Sequence, residues 1–178
     1  MKTLGIVLAG GQSSRFGPDK AEAIWRGRSL IHHTATELAR CCDSIAIAGR
    51  SWGGLLALED WPRSGLGPLG GVASALRYAG SHGFDEVLSV PVDCVSLPRT
   101  LRHSLLPSPS YLEVQPVIGL WPVAALSVLE RILQSGGRRS LHAFARGINA
   151  RSVSIDDDIP NINTPQDLAD LNAANLYS

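Results

Sequence analysis

Leu8-Ala9-Gly10-Gly11-Gln12-Ser13-Ser14-Arg15-Phe16-Gly17-Pro18-Asp19-Lys20 brings glycines, hydroxyls and two cations together directly after an apolar run. Backbone N–H groups exposed by glycine, with Arg15 and Lys20 beside them, suit a triphosphate. The segment is not a Walker A loop, because Gly17 is followed by Pro18-Asp19 rather than by Lys-Ser/Thr. The competing account is a solvated basic turn whose glycines serve only the backbone. Gly65-Leu66-Gly67-Pro68-Leu69-Gly70 matches the dinucleotide fingerprint G-x-G-x-x-G. Its context does not, since Asp60-Trp61-Pro62-Arg63-Ser64 separates it from the preceding strand and Pro68 has no N–H to offer a pyrophosphate.

Asp93 closes the apolar run Glu86 to Val92. A hard carboxylate at a strand end suits Mg²⁺ shared with substrate phosphates, because Mg²⁺ takes few protein carboxylates and keeps waters. A turn residue or a helix cap is the alternative. Cys94 has no histidine near it in sequence and reads as a packed thiol. Arg138-Arg139 makes a cationic turn able to reach a phosphate or simply to end a helix in solvent. In Asn161-Ile162-Asn163-Thr164-Pro165 two amides flank an apolar residue before a proline-started helix, so both point one way toward a polar ligand or a capping turn. His32-His33, His103 and His142 have no metal-ligand spacing.

These residues need a scaffold, and the apolar pattern supplies one. Leu4 to Leu8, Ser44 to Gly49 and Glu86 to Val92 read as buried parallel strands, with a shorter run at Leu55 to Glu59. Helical spacing covers Ser29 to Cys42, with Ser29 as N-cap, and then Val72 to Ala79. Further helices are expected from Pro98 to Leu106, over Leu126 to Leu133 closed by Gly136-Gly137, from Ser140 to Arg146, and from Thr164-Pro165 onward. Tyr111 to Leu120 reads as one edge strand broken by Pro116, and Ala150 to Ile155 as a half-buried strand. Strands alternating with helices predict a three-layer α/β fold with a parallel sheet, whose ligands sit beyond the carboxyl ends of the strands. The loops at Ala9, Asp60 and Asp93 are therefore expected to converge.

Composition sets the outer limits. A chain of 178 residues fits one domain spanning 1–178. With 44% hydrophobic and 18% charged residues it has the apolar content of a folded protein. Sixteen basic residues balance sixteen acidic ones, which argues against a nucleic-acid partner. No run approaches the roughly 20 apolar residues of a membrane span, so no membrane partner and a cytoplasmic location are expected. Three cysteines, two adjacent at Cys41-Cys42, form neither a disulfide framework nor a zinc motif and read as buried reduced thiols.

Taken together, Leu8-Ala9-Gly10-Gly11 with Arg15, Gly17, Asp19 and Lys20, then Glu59-Asp60, Gly67-Pro68-Leu69-Gly70-Gly71, Pro91-Val92-Asp93, Gln115-Pro116, Gly136-Gly137-Arg138-Arg139-Ser140 and Asn161-Ile162-Asn163-Thr164-Pro165 resemble the molybdenum cofactor guanylyltransferases, the MobA-like nucleotidyltransferases. The resemblance runs nearly the whole chain. It implies a Rossmann-like nucleotidyltransferase fold with a mostly parallel sheet, a GTP-binding N-terminal half and a pterin-binding C-terminal half. It implies that Leu8, Ala9, Gly10, Gly11, Lys20, Asp60, Gly67 and Asp93 bind nucleotide, and that Arg15, Lys20 and Asp93 carry the catalysis with Asp93 holding Mg²⁺. Arg139, Asn161 and Asn163 would face the pterin. GTP and molybdopterin would be the substrates of a monomer, with other cofactor-biosynthesis proteins and recipient molybdoenzymes as partners. Gly11 resembles the guanine-using branch. Cys94-Val95 stands where the family has Thr-Pro, and Ile47-Ala48-Gly49 lacks the family's Asn at that strand end. Two rivals remain: a nucleotidyltransferase using CTP or another phosphorylated acceptor, and a catalytically silent nucleotide- or cofactor-binding adaptor.

Overall fold

The computed structural model describes residues 1–10, 19–135, 140–157 and 159–174. Gly11, Arg15, Gly136, Gly137, Arg138 and Arg139 lie outside the described residues.

Nine strands and six helices follow one another along the described chain: β1 (Thr3–Leu8), β2 (Ile24–Trp25), β3 (Arg28–Ser29), α1 (Leu30–Leu38), β4 (Ser44–Ala48), β5 (Leu56–Leu58), α2 (Pro68–Ser81), β6 (Glu86–Pro91), α3 (Leu101–Leu105), β7 (Ser110–Leu112), β8 (Gly119–Pro122), α4 (Leu126–Gln134), α5 (Leu141–Gly147), β9 (Arg151–Val153) and α6 (Pro165–Ala174). Seven strands form one sheet in the order β5-β4-β1-β6-β8-β7-β9, and β2 and β3 form a separate hairpin. Every pairing in the sheet is parallel except those of β8, which runs against both β6 and β7.

Burial on both faces explains the apolar strands. Along β1, Leu4, Ile6 and Leu8 join the core under α2, α4 and α5, while Val7 joins the opposite core with Ile31, Ala35 and Leu38 of α1. The alternation is the two-residue period of a strand set between helical layers. Gly5 has a packing reason, because a Cβ there would meet Leu38 Cγ at 2.7 Å. A third, smaller cluster of Trp25, Leu30, Val95 and Ile162, with Leu168 and Leu171 against it, joins the β2–β3 hairpin to α6.

Several boundaries differ from the sequence expectation. Helix α2 starts at Pro68 rather than Val72, with Pro at its first turn. The buried Gly70 and Gly71 belong to that helix because side chains there would collide with Asp60 and Leu8. Helix α3 starts at Leu101; Pro98 instead accepts a turn hydrogen bond from the N–H of Leu101. Tyr111 to Leu120 is not one strand: Gln115 and Pro116 occupy the turn between β7 and β8. Ser29 precedes α1 without a side-chain cap bond, whereas Ser140 caps α5 by accepting from the N–H of Ala143. Cys41 and Cys42 are half-buried rather than buried, and all three thiols are free.

Candidate active site

The carboxyl ends of β5, β4, β1 and β6 lie side by side, and backbone hydrogen bonds continue past them. Gly49 N–H donates to Leu58 O, Ala9 N–H to Ala48 O, and Val92 N–H to Leu8 O. The segments leaving these strands therefore emerge in register along one edge, where an open parallel sheet binds ligands.

On one side of β1 the edge opens into a cleft of about 710 Å³, lined by Gly10, Gly49, Arg50, Ser51, Ala57, Leu58, Glu59, Asp60, Ser64, Gly65 and Gly67. That volume is within the usual range for a small-molecule site. Its floor is a crossing of two glycines: a Cβ on Gly49 (φ +87°) would lie 2.4 Å from Gly10 Cα. Asp60 packs against the first turn of α2, where a Cβ on Gly70 would meet its Cγ at 2.9 Å and where Trp61 N–H donates to Gly70 O. The expected convergence of the Ala9 and Asp60 loops is thus present, with Gly67 joining them.

On the other side of β1 stands Asp93. Its Oδ2 accepts from Lys20 Nζ at 2.7 Å, and the two side chains are only 15% and 11% exposed. Lys20 comes from the 3₁₀ turn Lys20–Glu22, which Asp19 caps by accepting from the N–H of Ala21. Lys20 Nζ also donates to Asn163 Oδ1 at 3.3 Å. Asn161 is held next to Asp93 by its bridge to Cys94 and by Ile162 N–H donating to Asp93 O. Ile162 is buried while Asn163 is exposed, so the chain alternates here as its sequence predicts. Asn161 Nδ2 donates to Gln115 Oε1 at 3.3 Å, and Asn161 Oδ1 is buried without a partner. Neither amide caps α6. Thr164 Oγ1 accepts from Asp167 N–H, and Asp167 Oδ2 accepts from the N–H groups of Asn163 and Thr164, which holds its carboxyl below the usual range.

Asp93 has the chemistry Mg²⁺ asks for. It offers a hard carboxylate whose Oδ1 receives a long 3.9 Å contact from the Cys94 thiol. Burial, reinforced by the Asp93 charge, pushes that thiol up, so Cys94 is a packed protonated group in the Thr-Pro position of the family pattern.

Arg50 was not singled out by the sequence. It lines the cleft, donates from Nη1 to Asp19 Oδ2 at 2.8 Å and lies 3.8 Å from Glu22 Oε1. The Arg50 guanidinium holds the Asp19 carboxyl below its ordinary range. The one signal in the sequence is a cation directly after a strand-ending glycine, at Gly49-Arg50.

Residues 5–151 match the model of the MobA-like NTP transferase domain. The molybdenum cofactor guanylyltransferase of Acidiphilium cryptum (strain JF-5) is 34% identical, over 92% of this chain and 90% of that protein. The protein of the same name from Cereibacter sphaeroides is also 34% identical, over 95% of each chain. Among solved structures, molybdopterin-guanine dinucleotide biosynthesis protein A from Archaeoglobus fulgidus superposes with a TM-score of 0.77 at 20% identity, covering 100% of both chains. CMP:2-keto-3-deoxy-manno-octonic acid synthetase, solved with CTP, superposes with a TM-score of 0.73 at 12% identity over 99% of both, which shows a shared fold.

Proposed function

The chain belongs to the MobA-like NTP transferase family, and from that premise we propose that it transfers GMP from GTP to molybdenum-molybdopterin, yielding the guanine dinucleotide form of the molybdenum cofactor and pyrophosphate. The observation that carries this reading is the position of Lys20, whose Nζ joins Asp93 to Asn163 at the edge that also opens the cleft around Gly10 and Asp60.

A terminal phosphate oxygen of the pterin attacks the α-phosphorus of GTP; the new P–O bond forms as the bond to the pyrophosphate oxygen breaks. No covalent enzyme intermediate is needed, so positioning and charge neutralisation carry the acceleration. Leu8, Ala9, Gly10 and Gly11 wrap the nucleotide, with Asp60 and Gly67 across the cleft. Lys20 and Arg15 stabilise the departing pyrophosphate, and Arg139, Asn161 and Asn163 orient the pterin. Asp93 would hold Mg²⁺, which when bound would supply charge neutralisation to the phosphates. The protein acts as one domain, a monomer in the cytoplasm, and hands its product to recipient molybdoenzymes.

The test is pyrophosphate release with GTP, CTP or ATP in the presence of the molybdenum pterin. Release with GTP alone is expected. Preference for CTP would move the protein to the cytidylyl branch, and nucleotide binding without release would make it an adaptor.

A further inference from the structure

We propose that Arg50 is a positioning residue for Lys20, acting through Asp19, an inference that rests on the nucleotidyl-transfer reading. One guanidinium nitrogen, Nη1, reaches Asp19 Oδ2 at 2.8 Å and stands 3.8 Å from Glu22 Oε1. Asp19 immediately precedes the 3₁₀ turn Lys20–Glu22 and Glu22 ends it, so Arg50 engages both sides of the turn that carries Lys20. Asp19 in turn fixes the turn's backbone through the N–H of Ala21 at 3.1 Å. Beyond the turn, Lys20 Nζ meets Asp93 at 2.7 Å. Charges thus alternate from the end of β4 to the end of β6: Arg50, Asp19, Lys20, Asp93.

Arg50 is itself held in place. It follows Gly49, whose backbone crosses Gly10 so closely that no side chain fits and whose N–H is bonded to Leu58 O. Its Nε is buried without an acceptor among the described residues, and its approaches to Asp19 and Glu22 both run through Nη1. Lysine is a point charge on a flexible stem, and its position is set by the backbone that carries it. Without Arg50, the carboxylates of Asp19 and Glu22 would stand uncompensated beside Lys20, competing with Asp93 for its ammonium.

The test is a double-mutant cycle on the full chain with Arg50→Ala, Lys20→Ala and both, plus Arg50→Lys. Arg50→Ala should raise the KM for GTP about tenfold, as loss of a charge-assisted contact allows. The KM for the pterin should hardly move, and Arg50→Lys should recover part of the loss. In the Lys20→Ala background the Arg50 effect should shrink to less than about twofold, because residues acting as a unit are not additive. A wild-type GTP KM in Arg50→Ala, or its full effect persisting without Lys20, overturns the inference. Hydrogen exchange reads the pinning independently of turnover: amides at residues 20–22 should exchange faster in Arg50→Ala while those of β1 and β6 stay protected, and unchanged exchange there also overturns it. Should the wild-type protein release no pyrophosphate, the transfer reading fails while the exchange result still decides whether Arg50 pins the turn.

Discussion

Gly49→Ala tests the floor of the cleft. Gly49 has a φ of +87°, and an added Cβ would lie 2.4 Å from Gly10 Cα and 2.7 Å from Gly10 N. Both neighbours are backbone, so no side chain can rotate away to make room. A non-glycine residue held at positive φ costs about 1–3 kcal/mol, and forcing atoms into a packed site costs about another 1–3. The sum of roughly 2–6 kcal/mol, at about 2–4 °C per kcal/mol for a chain of this size, lowers Tm by roughly 4–24 °C. Because Gly10 and Gly49 both line the cleft, GTP affinity measured by calorimetry below the transition should fall with stability. Gly53→Ala is the control: Gly53 also has positive φ, +58°, but nothing lies within 4 Å of the added carbon. It carries the conformational cost alone. If thermal melts of Gly49→Ala and Gly53→Ala coincide, or if Gly49→Ala binds GTP like wild type, the tight crossing is not what shapes the cleft.

Asp93→Asn should abolish transfer, measured as pyrophosphate release at saturating Mg²⁺, while costing less than about 2 kcal/mol in stability because the amide oxygen can still accept from Lys20; near-normal turnover would end the metal assignment. Lys20→Ala should weaken GTP binding by roughly ten- to a hundredfold in calorimetry, the loss expected for a charge-assisted hydrogen bond. Asn161→Ala with Asn163→Ala should weaken pterin binding by about 1–3 kcal/mol and leave GTP affinity intact; since Thr164 and Asp167 cap α6 instead, the melting temperature should hold. Alkylation followed by mass mapping at neutral pH should modify Cys41 first, because the hydrogen bond from Cys42 holds its thiol below the ordinary range, and should leave Cys94 untouched.

The parts of this site that could be read from sequence are those whose cause is local. Leu4 to Leu8 and Glu86 to Val92 announce buried parallel strands because both faces are covered, and that placed Ala9 and Asp93 on one edge. Asn161 and Asn163 could be placed on one side of their segment because a two-residue period is local too. Arg50 could not be found that way. Its meaning depends on Asp19, 31 residues away, and on a glycine crossing whose tightness appears only when two strand ends lie side by side. The start of α2 was hidden for a different reason. Glycine and proline usually mark loops, but Gly70 and Gly71 are small because Asp60 and Leu8 pack against the helix, and Pro68 sits where a helix tolerates it.

Pro116 marks a turn where the sequence suggested the middle of a strand. As part of a single strand from Tyr111 to Leu120 it would sit at an edge far from any ligand. The chain instead turns between β7 and β8, and the direction of the strands decides where that turn lies. β8 is antiparallel to β6 while β7 is antiparallel to β8, so β7 runs parallel to β6 and ends at the same edge as Asp93. Gln115 therefore emerges at the ligand edge, within 3.3 Å of Asn161, although 46 residues separate them. In a fully parallel sheet the connection leaving β7 would cross to the opposite edge before the next strand began. The single reversed strand keeps it at the carboxyl edge, where Gln115, Asn161 and Asn163 line up next to Lys20 and Asp93.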